Sequence, residues 1–117
     1  MKTESALGVD TVEAHLDRFV VAGERLGAAE EGMVARLRRI AQGDLAAAPQ
    51  DARFYSHELR ESVLYRQAGH PTGQPLGDAA YDLWDALHTR SLADYGFPRN
   101  VAPDFLCHPA VLGKGSP

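Results

Sequence analysis

A single cysteine, Cys107, stands in a chain of 117 residues. This excludes an internal disulfide framework and any metal site built from several thiolates. A bound metal has to be held by imidazole and carboxylate. Lysine is scarce too, limited to Lys2 and Lys114, and the formal net charge is -4. Composition therefore argues against the clustered cationic surface on which nonspecific nucleic-acid binding rests. Arginine is the main cation, and Arg36, Arg38, Arg39, Arg53, Arg60 and Arg66 fall between residues 36 and 66. They are read as solvated helix faces, with a local basic surface, and nucleic acid as its partner, left open. No apolar run approaches the length that crosses a bilayer. The opening MKTESALGVD has no apolar segment of the kind a Sec signal peptide needs. A cytoplasmic protein, or one exported by another route, is expected.

What is present is helical periodicity. Apolar residues make up 44% of the chain, which suits one globular domain with a modest core. The spacing predicts an all-α fold, a single domain over residues 10–112 with tails at 1–9 and 113–117. Asp10 and Glu13 have the spacing of a capping box, so the first helix is expected to start there. Val12, Leu16, Phe19, Val20 and Gly23 give it an apolar stripe ending near Leu26 and Gly27. His15 falls beside that stripe and is read as a surface imidazole without a task. A second helix is expected from about Ala28 to Gln42, on the pattern Met33, Val34, Leu37, Ile40, Ala41, with Gly43 as its stop and with the first two helices forming an antiparallel hairpin. The third runs from Pro49 to about Ala68, closed by Gly69 and a loop of breakers that contains His70. The fourth extends from Leu76 or Asp78 to Tyr95, with Gly96 beyond it. Its apolar arc holds Ala80, Leu83, Trp84, Leu87, Ser91 and Tyr95. After Gly96, a Pro-rich stretch should form an irregular cover with one helical turn at Pro103, anchored by Phe97, Phe105, Leu106 and Leu112.

The stretch FYSHELRESVLY, residues 54–65, carries charge where a helix of this kind should be apolar. On a helical wheel Arg53, Ser56, Arg60 and Gln67 form the polar arc, and Tyr55, Leu59 and Val63 an apolar stripe opposite. His57 and Glu61 lie outside the polar arc, one turn apart, with Glu58 next to them. His88 lies inside the apolar arc of the fourth helix, between Trp84 and Leu92. A partly buried titratable cluster follows from these positions.

Two histidines and one or two carboxylates on facing helices suit a divalent Zn, Mn or Fe ion, with His57, Glu61 and His88 as ligands. HELRE is not the H-E-x-x-H helix of zinc proteases, and no Glu-x-x-His pair signals a di-iron bundle. Without metal, a carboxylate can orient an imidazole that acts as general base, with Glu58 or Tyr65 as acid and His108 completing the site. Cys107 reads as a small buried apolar residue rather than a nucleophile. The alternative from another class is a non-catalytic helical module that binds a protein partner, in which the same groups form a buried structural network, with Arg66, Arg90, a tyrosine or backbone N–H groups serving Glu58 and Glu61.

FYSHELRES, followed by Ala86-Leu87-His88, by Leu92 through Tyr95-Gly96 and by Leu106-Cys107-His108-Pro109, resembles the variable C-terminal domains of some bacterial Rhs-type polymorphic toxins. The likeness spans roughly residues 53 to 111, on His57, Glu58, Glu61, His88, Gly96, His108 and Pro109. It implies a bacterial effector delivered by a specialised secretion system and neutralised by an immunity protein. It implies no particular reaction. Joined to the cluster, it gives as expected function a small toxin-like hydrolase whose candidate catalytic residues are His57, Glu58, Glu61, His88 and His108.

Overall fold

The computed structural model describes residues 6–20, 27–75, 77–97 and 102–112. Among them the fold is all-α, with no strand. Four helices, α1 (Ala6–Asp17), α2 (Ala28–Ala41), α3 (Pro49–Gln67) and α4 (Asp78–Asp94), precede a single turn, α5 (Pro103–Leu106), and a 3-10 turn at Pro109–Val111. Helix α3 is the hub, because α1, α2, α4 and α5 all pack on it. Val9, Val12 and Leu16 of α1 meet Met33, Val34, Leu37 and Ile40 of α2 and Phe54 and Tyr55 of α3 in one apolar core. These side chains recur at three- and four-residue steps, so each helix turns a single stripe inward. Burying each stabilises the fold by about 2 kcal/mol before ordering costs are subtracted.

Local signals explain the boundaries of α3. Pro49 occupies the first turn, where its missing N–H leaves nothing unpaired. The Asp51 carboxylate accepts from the Ala48 N–H at 2.8 Å. At the other end Gly69 takes a left-handed conformation, φ 96°. That conformation lets the His70 N–H donate to the Tyr65 carbonyl at 2.9 Å and the Gly69 N–H to the Arg66 carbonyl at 3.1 Å, a closure that a side chain at Gly69 would strain. The C-terminal cover is held in the same residue-specific way. Arg53 donates to the Phe105 carbonyl at 2.7 Å and lies over the Phe105 ring, and Phe97 packs edge-on against that ring. A β-carbon at Gly32 would come within 2.6 Å of Val111, so the bare backbone of α2 is what lets the 3-10 turn seat.

Several expectations are corrected. Helix α1 begins at Ala6 rather than Asp10. Asp10 and Glu13 do not form a capping box: both bind Arg38 of α2, because an arginine across the interface offers each carboxylate a stronger partner than a helix N–H. The helix ends at Asp17, with turns continuing through Val20; Gly23 and the expected end near Leu26 lie outside the described residues, except for Gly27, which precedes α2. Arg36 is no solvated arginine, since it grips the buried Asp51 through two 2.8 Å hydrogen bonds. Val63 and Tyr95, expected on apolar stripes, are exposed. Tyr55 of the expected α3 stripe is buried in the core and Leu59 packs against it, and the buried face of α3 extends through Phe54, His57, Glu58, Glu61, Leu64 and Tyr65.

Candidate functional site

The inward face of α3 places Glu61 at the centre of a polar cluster, 1% exposed. One carboxylate oxygen, Oε1, lies 3.1 Å from His15 Nε2 on α1. The other, Oε2, lies 3.2 Å from His57 Nε2, one turn back on α3, and 3.2 Å from His88 Nδ1 on α4. The nitrogens of His57 and His88 are themselves 3.1 Å apart. Glu58 Oε1 stands 3.6 Å from His57 Nε2. Three helices thus contribute three imidazoles to one carboxylate.

Neighbouring groups hold the cluster in place. Ser91 Oγ donates to the His57 carbonyl at 2.7 Å, which ties α4 to α3 beside the cluster. Trp84 stacks on the His88 ring, centroids 4.5 Å apart and planes inclined by 17°. His15 sits between Phe19 and Tyr65, at 5.4 Å from each ring. Arg18 covers Tyr65 and donates to the carbonyls of His70 and Gly73 at 2.9 Å, so the loop after α3 closes over this side.

The two carboxylates are pushed in opposite directions. Burial alone would raise the Glu61 carboxyl, but hydrogen bonds from His15, His57 and His88 overcome it and hold the group well below the usual range. Burial holds Glu58 well above that range, and the charges of Glu61 and Glu30 act in the same sense. Burial also lowers His15, against the raising effect of Glu61. Tyr65 is pushed up to about 12 by burial and the Glu61 charge. A pair of carboxyls split in this way is the arrangement that separates an ionised role from a proton-carrying one.

A pocket of about 310 Å³ opens beside the cluster. His57, Glu58, Glu61 and His88 form its polar wall, and Phe19, Phe54, Trp84 and Leu106 much of its apolar wall. Cys107 and Glu30 also border it. Burial pushes the Cys107 thiol up to about 11, with help from the charges of Glu30 and Glu58, which makes it a poor nucleophile at neutral pH. Among the described residues, the buried side-chain polar atoms without a hydrogen-bond partner are His15 Nδ1, His57 Nδ1 and the Tyr65 hydroxyl. All three belong to the cluster or touch it. Buried polar atoms are nearly always paired, so their concentration at one place sets that place apart.

The structure brings His57, Glu58, Glu61 and His88 together. It does not bring in His108, whose backbone N–H donates to Met33 Sδ and whose Nδ1 accepts from the Ala110 N–H, capping the 3-10 turn. A short polar side chain before a proline-started turn finds that local partner first. Tyr65 is also not part of the pocket wall; it packs on His15 and Arg18. The carboxylate partners are imidazoles rather than Arg66 or Arg90, and Arg90 instead lies 3.9 Å from Asp94. Sequence reasoning missed His15, which is 1% exposed rather than on the surface. The signal was there: His15 is three residues after Val12 and four before Phe19, at the stripe's edge, the edge that faces α3.

Comparison with protein families, with curated proteins and with solved structures finds no match.

Proposed function

We propose that this chain is a small hydrolase of the toxin-effector kind, with its active centre at the His57, Glu58, Glu61, His88 cluster. One observation carries the proposal. A buried carboxylate ringed by imidazoles forms the wall of an apolar pocket, and the unpaired buried polar atoms collect around it. Such an arrangement costs stability without improving packing, which is characteristic of functional sites. His57, Glu61 and His88 bind and orient the attacking water. Glu58, which burial keeps protonated, gives its proton to the leaving group and takes one back from the attacking water. The walls formed by Phe19, Phe54, Trp84 and Leu106 hold an apolar part of the substrate and exclude bulk water, which strengthens every charge interaction inside. The likeness of residues 53 to 111 to Rhs-type toxin tips adds the biological setting, an effector paired with an immunity protein.

The test is a panel of small esters, amides and phosphoesters, run with wild type and with Glu58→Gln, alongside expression inside bacterial cells. Turnover of one class, reduced roughly 100-fold or more in the variant, together with toxicity that the variant loses, is the expected result. No turnover of any class combined with harmless expression removes the proposal. A second reading, a partner-binding helical module with the cluster as internal scaffold, draws on His15, which is closed off between Phe19 and Tyr65 like a core residue.

A further inference from the structure

His57 Nε2, His88 Nδ1 and Glu61 Oε2 form a nearly equilateral triangle with sides of 3.1, 3.2 and 3.2 Å. Protons cannot satisfy it. Each ring nitrogen carries at most one hydrogen and the carboxylate oxygen carries none when ionised, so at most two hydrogens serve three edges. If both nitrogens donate to Glu61, no hydrogen lies along the edge between them. If His57 donates to His88 instead, both edges to the carboxylate are left without one. A cation satisfies all three atoms at once. A point about 1 Å above the plane of a triangle of this size lies ~2.1 Å from every corner, the bond length at which imidazole nitrogen and carboxylate oxygen hold a first-row transition metal.

We infer that His57, Glu61 and His88 are the ligands of one divalent transition metal ion, bound on a single face and open to the pocket. The donor set of two imidazoles and a carboxylate selects Zn, Fe(II), Co or Mn over the all-oxygen shells of Mg and Ca. All three ligands are part of the pocket wall, so the ion has an entry path and its remaining positions meet solvent or substrate. His15 is a positioning residue: its Nε2, 3.1 Å from Glu61 Oε1, holds that oxygen away from the ion and leaves Oε2 to bind it. Cys107 borders the pocket but does not belong to the converging group. The metal's use in water activation rests on the proposed hydrolase; the site itself rests on the triangle.

The probe is Co²⁺ added to the whole metal-free chain, followed by visible absorption, titration calorimetry and X-ray absorption. One ion per chain with two imidazoles in its first shell is expected. The affinity should fall about 100-fold in His88→Ala, the partly exposed ligand whose loss least disturbs folding. His15→Ala should weaken binding 10- to 100-fold, and His15→Gln, which keeps an N–H donor, should recover part of that loss. A first shell with one imidazole or none, or binding that His88→Ala leaves unchanged, overturns the inference without reference to folding of any further variant. The hydrolase proposal fails separately: a metal-loaded chain that turns over nothing sinks that proposal alone, whereas turnover that persists after chelator has stripped the ion sinks only the metal's use in water activation.

Discussion

Two buried carboxylates on the same helix, Asp51 and Glu61, have been treated differently by their surroundings. Asp51 is 0% exposed and fully served: Arg36 holds both its oxygens at 2.8 Å and the Ala48 N–H adds a third bond. Glu61 is as deeply buried, yet its partners are three imidazoles, two of which also face each other at 3.1 Å with no hydrogen left for that edge once both donate to Glu61, and a pocket lies alongside. A planar guanidinium matched to a carboxylate is a solution for holding helices together. Three titratable rings around a carboxylate are not, and they are groups that can give up a proton or accept a metal. The contrast separates a structural ion pair from a centre where His57 Nε2, His88 Nδ1 and Glu61 Oε2 converge on one another beside a pocket.

Breaking the structural member should have the largest effect on the fold. Asp51→Ala leaves Arg36 unpaired and half-closed beneath α3, and should lower stability by about 3 kcal/mol in urea unfolding, with Co²⁺ affinity unaltered. Next, Glu61→Gln keeps the size of the side chain but removes the anion that three imidazoles share. It should abolish metal uptake by calorimetry, a loss of at least about 100-fold, while its effect on the urea midpoint stays smaller than that of Asp51→Ala. Glu58→Gln should sharpen the same contrast. Burial disfavours the charged form of Glu58, so a neutral isostere should leave the melting temperature unchanged or raise it by a few degrees even as turnover is lost, a gain in stability at the expense of function. If both glutamate variants instead unfold as readily as Asp51→Ala, the cluster is scaffold.

Acid gives a check on the structural pair when wild type is compared with a variant that removes it. Burial would raise the Asp51 carboxyl, but Arg36 and the Ala48 N–H lower it on balance. A depressed folded pKa contributes stability that is fully present above the unfolded value, about 3.9, and is lost as pH falls through the folded value. Wild type should therefore lose stability below about pH 4 more steeply than Asp51→Asn, as read by unfolding at stepped pH. The smallest effect is expected at Arg60 and Asp94, an α3–α4 pair at 2.8 Å whose side chains are about a third exposed. Arg60→Ala should cost less than about 1 kcal/mol.

The helices were legible because their stripes are regular: α2 and α3 start where Ala28 and Pro49 suggest, and the left-handed glycines Gly43 and Gly69 stop them. The start of α1 was not legible, since Asp10 and Glu13 carry a capping signal that a distant arginine, Arg38, claims instead. The inward position of His57, Glu58, Glu61 and His88 followed from angular position on their helices. Their distances did not, nor did His15, because which edge of α1 meets α3 is decided by packing. His108 was drawn in by its place in the packed tail and by the toxin likeness, but backbone capping inside a three-residue turn outcompetes reach across the bundle.

The most direct measurement is thermal unfolding of the metal-free chain with and without Zn²⁺, beside His88→Ala. A ligand that binds the folded state at about 100 times its Kd adds about 2.7 kcal/mol, which for a domain of this size is a rise of roughly 10 °C. That rise in wild type, absent from His88→Ala, is the expected result. Equal melting temperatures with and without the ion, or an equal rise in both proteins, would contradict the central claim that His57, Glu61 and His88 form a metal centre.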